Sequence, residues 1–179
     1  MIRKFQNHTP QIPDSCYIFP TATIIGDVVL GENVIAYPGV VIRGERHKVV
    51  IGDNTNLQEN STIHMEWDRD CIIGSGVTIG HNAIIHACTI CDNVLVGMGA
   101  IVQDGAVIGE NSFIGAGALI PRKMIVPPGS MVYGFPARIV RPITQAEYEE
   151  IRESAAEYQL YKQDLEAQDK ALAKEGFLD

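Results

Sequence analysis

Aromatic side chains are scarce: they make up 7% of the 179 residues, with one tryptophan, which argues against a core of large rings. No run of about 18 apolar residues occurs, so a transmembrane helix is excluded. Basic residues are also few. Fourteen Lys and Arg stand against 22 Asp and Glu, a net charge of −8. Without a basic stripe to neutralise phosphates, no nucleic-acid partner is expected. The opening MIRKFQNHTPQIPDS lacks the apolar segment of a secretory signal. A cytoplasmic location is therefore expected. The four cysteines fit a reducing compartment, and Cys71 and Cys88 lie in apolar segments, as small buried hydrophobes do. Cys88-Thr89-Ile90-Cys91 also has the spacing of a redox or zinc pair, a weak signal when it stands alone.

Glycine, by contrast, is abundant, with 17 residues that often follow an aliphatic one. Leu30-Gly31, Ile51-Gly52, Ile73-Gly74, Ile79-Gly80, Ile108-Gly109 and Ile114-Gly115 mark a period of six. Written in sixes, the leading position reads Val28, Val34, Val40, then Val49, Thr55, Ser61, then Cys71, Val77, Ala83, Thr89. After a one-residue slip it continues Val94, Ala100, Ala106, Ser112, Ala118. Every one of these is small or β-branched, as an inward position in a narrow interior requires. A single hexad is one short strand plus a turn and buries nothing alone, whereas stacked coils make a continuous core. Three hexads per coil give a triangular prism, and these fifteen hexads predict about five coils. A β-sandwich of short strands would not hold a six-residue phase over this length. Two longer insertions interrupt the phase, around Arg43 to Lys48 and around His64 to Asp70.

The phase also places the histidines. The fourth residue of hexads three, six and nine is Arg43, His64 and His86. With three hexads per coil they fall on one wall, in successive coils about 4.8 Å apart, so His64 and His86 are able to share a metal. His81 sits in the fifth slot of hexad eight, on the adjacent wall that also carries Gln58 and Glu59. His81 and His86 serve one site if a second subunit supplies one of them, and a three-fold assembly brings adjacent walls together. Three neutral imidazoles with an open position are the ligand set of a catalytic zinc. His8 and His47 have no such relation and are expected in solvent.

After Ala118 the repeat signals stop. Pro127-Pro128-Gly129-Ser130 turns the chain and Gly134 to Arg138 makes an extended return. Thr144-Gln145-Ala146-Glu147 is a capping box that opens a polar helix to about Lys174. Its apolar stripe reads Ala146, Ile151, Ala155, Tyr158, Tyr161 and Leu165. The expected division is a β-helix domain over 1–143 and a helix over 144–179, packed on the prism wall.

Arg43-Gly44-Glu45, Asn56-Leu57-Gln58-Glu59, Ile63-His64 and the HNAIIH of His81 to His86 carry a resemblance. Over essentially its whole length the chain resembles the γ-class carbonic anhydrases of the hexapeptide-repeat superfamily. That resemblance implies an all-β solenoid, a left-handed parallel β-helix with a C-terminal helix alongside. It implies a homotrimer with metal at the subunit interfaces and His64, His81 and His86 as ligands of zinc, or of iron or cobalt. The family pattern has Arg-Gly-Asp and Asn-x-Gln-Asp. Arg43 and Gln58 match it, while Glu45 and Glu59 stand where most members have Asp. In the family the first acid pairs with an arginine across the interface, and the glutamine and second acid order the metal-bound solvent. The most active members carry a glutamate proton shuttle in an acidic loop, and in Met65 to Asp70 the candidate is Glu66.

The expected activity is reversible hydration of carbon dioxide to bicarbonate by a metal-bound hydroxide, since zinc lowers the pKa of its water to about 7. Arg43, Glu45, Gln58, Glu59 and Glu66 are the expected catalytic residues, and carbon dioxide and bicarbonate the small-molecule partners. The extra methylene of each glutamate displaces its carboxylate from the aspartate position, which predicts slow turnover with metal binding intact. One alternative is a metal-stabilised trimeric scaffold without efficient hydratase activity, suggested by those two departures. The other is a CoA-dependent acyltransferase, which needs one histidine base and no metal. Three converging histidines argue against it.

Overall fold

In the computed structural model, which describes residues 1–175, most aliphatic pairs of the repeat become strands of two or three residues. The strands are short because a left-handed residue soon turns the chain. At Asn33, Asn54, Asn60, Asn82, Asn93 and Asn111 an asparagine takes positive φ, which its short amide tolerates by bonding to nearby backbone.

The strands build three walls. Wall I stacks seven parallel strands, Tyr17–Ile18, Ile35–Ala36, Asn56–Leu57, Thr78–Ile79, Leu95–Val96, Phe113–Ile114 and Ser130–Gly134, and Ala137–Pro142 closes its end antiparallel. Wall II contains Thr62–His64, Ile84–His86, Ile101–Val102 and Leu119–Ile120, and wall III contains Cys71–Ile73, Thr89–Ile90, Val107–Ile108 and Ile125–Val126. Two longer strands, Thr23–Leu30 and Val41–Ile51, run through the corner between walls II and III and join them into one sheet.

Seven levels on wall I make about seven turns, two more than the repeat count predicts. The phase runs on at both ends: Ala22, six residues before Val28, is fully buried, and Met124 and Ser130 follow Ala118 at the same spacing. Pro127 is a corner rather than a stop. It aligns with Gly109, whose N–H bonds to Val126 in the next coil. At Pro127 there is no further coil on that wall, so the missing N–H costs no ladder bond.

The one-residue slip also lies elsewhere than the spacing suggests. Cys88, not Thr89, fills the inward position, and Thr89 is half-exposed. The short corner therefore falls directly after His86, at Ala87, which has a φ of 46°. Isoleucines and valines of successive coils stack through the interior, as in the fully buried row Ile24, Ile42, Ile63, Ile85, Val102 and Ile120. All four cysteines are free, with Cys71 and Cys88 inside the prism.

The helix Gln145–Glu175 packs along wall I. Tyr158 meets Tyr37 edge-on at 5.7 Å, Tyr37 stacks on Phe19, and the Tyr17 hydroxyl donates to Asp169 at 2.6 Å. Ile151 is buried as expected, but Ala146 and Tyr161 face solvent and the stem of Lys162 takes the inner face, its ammonium 2.6 Å from Glu166. The segment expected over 144–179 includes 176–179, which lie outside the described residues. No described helix is long and apolar enough to cross a membrane. Deleting residues 144 onward strips this cover from Tyr37, Tyr17 and Phe19. The melting temperature should fall while metal content stays near wild type. Complete loss of metal from a truncated but still oligomeric protein would show that the helix completes the metal site.

The capping box forms as its spacing predicts: Thr144 N–H donates to Glu147 at 2.7 Å, and Glu147 N–H to the Thr144 hydroxyl at 3.3 Å. Hydrogen bonds from Arg141, then from the Thr144 backbone, pull the Glu147 carboxyl down to about 2. A carboxyl depressed in the folded state stabilises above its unfolded pKa of about 4.3 and loses that contribution as pH falls toward about 2. Glu147→Gln should therefore melt earlier than wild type at neutral pH, with the gap closing between about pH 4 and 2. A gap that is constant down that range would refute the assignment.

Candidate metal centre

The register of wall II aligns Arg43 with His64 and His64 with His86 in successive coils. His64 Nδ1 and His86 Nε2 lie 3.1 Å apart. Two nitrogens of a tetrahedral zinc site, each 2.0–2.1 Å from the ion, are roughly 3.3 Å apart, so the spacing suits a shared ion. The outer nitrogens of both rings face carboxylates. His86 Nδ1 contacts Asp104, and His64 Nε2 is 3.5 Å from Glu45. An ionised carboxylate only accepts, so the contact with Asp104 favours an outward N–H and an inward lone pair at His86, and the longer contact with Glu45 favours the same arrangement at His64. Two lone pairs facing each other repel in the neutral pair and are satisfied by a cation. Burial, and then the charge of Arg43, hold His64 below the usual histidine range, which favours the neutral ligand form.

Glu45 is held in turn by Arg43 of its own chain at 2.5 Å, and that hydrogen bond keeps its carboxyl below the ordinary value. Glu66 begins a small hairpin with Arg69 and comes near His86 and Asp104, the three ligand atoms lying within 4.8 Å of one another. That trio is the one group of three or more metal-capable side chains so close together within a single copy, among the described residues. Sequence reasoning missed Asp104, which reads there as an ordinary corner residue. Beside His64 opens a cleft of about 380 Å³, lined by Phe5, Glu45, Arg46 and the exposed Trp67, whose ring carries Arg46 at 3.3 Å.

His81 lies at the other edge of wall II, where wall I ends. The strand Ile84–His86 separates it from His86, and no metal-capable group of one copy contains it, among the described residues. Its surroundings mirror those of His86. Glu59 Oε2 is 2.5 Å from His81 Nδ1, and the buried Gln58 accepts the His81 backbone N–H at 3.2 Å. Gln58 Nε2 points to Asn56 at 3.5 Å. The sequence-predicted residues thus fall into two clusters: Arg43, Glu45, His64, Glu66 and His86 at one corner, and Gln58, Glu59 and His81 at the next.

Comparison with known proteins decides the family. Residues 87–122 match the family described as bacterial transferase hexapeptide (six repeats). A carbonic anhydrase of Geobacillus kaustophilus is 41% identical, covering 88% of this chain and 87% of its own. Gamma carbonic anhydrase 1, mitochondrial, of Arabidopsis thaliana is 36% identical over 83% of this chain, which spans 56% of that longer relative. The chain belongs to the γ-class carbonic anhydrase family. Among solved structures, a hexapeptide transferase family protein from Anaplasma phagocytophilum superposes with a TM-score of 0.88 at 38% identity, covering 91% of this chain and 96% of that one. The fold is thus shared between proteins named for hydration and proteins named for transfer, and fold alone does not assign the chemistry. For this member of the γ-class family the two histidine clusters must do so.

Proposed function

We propose that this protein hydrates carbon dioxide reversibly at a divalent metal held by His64 and His86 of one copy and His81 of a second, in a homotrimer. His64 Nδ1 and His86 Nε2, facing each other 3.1 Å apart with a carboxylate behind each ring, carry this reading. Zinc suits the all-nitrogen set best, with iron or cobalt as substitutes. When bound, the metal supplies a Lewis acid that makes hydroxide available near neutral pH.

The chain's own groups do the rest. His64, kept neutral by burial, presents a ligand lone pair at working pH. Arg43 holds Glu45 against His64. Gln58 and Glu59 fix the His81 corner and order the solvent beside it, and carbon dioxide arrives through the cleft at Trp67. Glu66, on its loop next to His86, passes the released proton to buffer. Four free thiols support action in a reducing compartment, the cytoplasm.

The test combines metal analysis of anaerobically purified protein with stopped-flow carbon dioxide hydration. The expected result is one metal per chain and hydration that a chelator abolishes and zinc restores. A fully metallated trimer with no hydration above buffer would hand the assignment to the scaffold reading.

A further inference from the structure

We infer that Asp104, backed by Arg122, is a positioning residue that fixes the His86 ring so that Nε2 faces the metal. The inference rests on the metal reading above and gives a specific role to the carboxylate that stands behind His86 there. Coil geometry puts Asp104 there. Ile85 aligns with Val102 and Thr89 with Val107, so three residues span the corner in the His86 coil where four span it in the next. The register alone would set Gln103 over His86. The shortened corner instead brings the Asp104 carboxylate against His86 Nδ1.

The carboxylate is well fixed. Its side chain is 13% exposed, one oxygen meets His86, and the other accepts from Arg122 Nε at 2.9 Å. Arg122 occupies the same corner one coil further on, three hexads from Asp104. A carboxylate with both oxygens engaged has one orientation. Because it accepts only, it selects the His86 tautomer with hydrogen on Nδ1. The lone pair of Nε2 then points at His64 whether or not an ion is present. Outer partners of this kind set ligand orientation and basicity, and their loss costs about 10- to 100-fold in metal affinity.

The test compares Asp104→Ala, Asp104→Asn and Arg122→Gln. Two-bond ¹H–¹⁵N NMR of the metal-free proteins reads the His86 tautomer, and competition with a chelator gives the zinc Kd. In wild type the proton sits on Nδ1. In Asp104→Ala it should move to Nε2, and the Kd should rise about 10- to 100-fold. Asp104→Asn keeps an acceptor oxygen and should retain the tautomer with a smaller loss. Arg122→Gln alters an exposed guanidinium, leaves folding intact, and should fall between wild type and Asp104→Ala.

An Asp104→Ala protein that keeps the proton on Nδ1, or that binds zinc as wild type does, overturns the inference. So does stoichiometric zinc in a single copy that His81→Ala leaves in place, because Asp104 would then be a ligand beside Glu66. Wild-type protein that binds no divalent metal defeats the metal reading instead, and the tautomer of the metal-free variants still decides the positioning.

Discussion

His64→Ala loses the metal and, with it, much of the trimer. Removing a ligand should cost more than the roughly 10- to 100-fold that follows from losing an outer partner. The larger effect is on assembly. If His81 comes from a second copy, metal binding free energy is also subunit binding free energy. At zinc a hundredfold above its Kd, that linkage contributes about 2.7 kcal/mol, roughly a hundredfold in the dissociation equilibrium. Sedimentation of wild type with and without chelator, beside His64→Ala, should show the apo wild type and the variant dissociating at similar concentrations. A monomer that retained one metal per chain would sink the shared-site model.

Much of this was legible in the sequence because the solenoid repeats one constraint many times. An inward position in a narrow prism accepts only small or β-branched residues, so Val34, Val40 and Ala100 report the phase directly. The phase in turn fixes the alignment of Arg43, His64 and His86 without any knowledge of their chemistry. The ends were harder to see. Met124, which packs against the core only partly buried, is larger than the other inward residues, and Pro127-Pro128 resembles a terminator, although both belong to ordinary coils.

The place of the slip is not legible, because Cys88 and Thr89 are equally acceptable inside and only backbone geometry separates them. Asp104 was illegible for the same reason, since its contact with His86 depends on that slip. Along the helix, Tyr161 looked like the buried residue, yet the long apolar stem of Lys162 covers the wall and sends its charge to Glu166. An apolar scale cannot anticipate that exchange.

The two glutamates separate a reading from sequence from a reading from geometry. From the sequence, Glu45 and Glu59 are too long for an aspartate's place, and restoring aspartate raises the rate. In the structure each glutamate reaches a histidine of its own copy. Glu59 reaches His81 Nδ1 at 2.5 Å, and Glu45 spans Arg43 and His64. Aspartate would draw each carboxylate back by one carbon–carbon bond, roughly 1.5 Å, and a ring nitrogen at 4 Å or more no longer donates. Glu59→Asp should therefore raise the zinc Kd by about tenfold or more, as loss of an outer partner does. Adding Glu45→Asp should deepen the defect and slow hydration, since a displacement of about 1 Å costs on the order of a hundredfold in rate. Metal titration followed by stopped-flow hydration at saturating zinc distinguishes the two. A double aspartate variant that is faster at unchanged metal content would mean that the long side chains impede the site. A slower, metal-poorer one means that both clusters are built around glutamate.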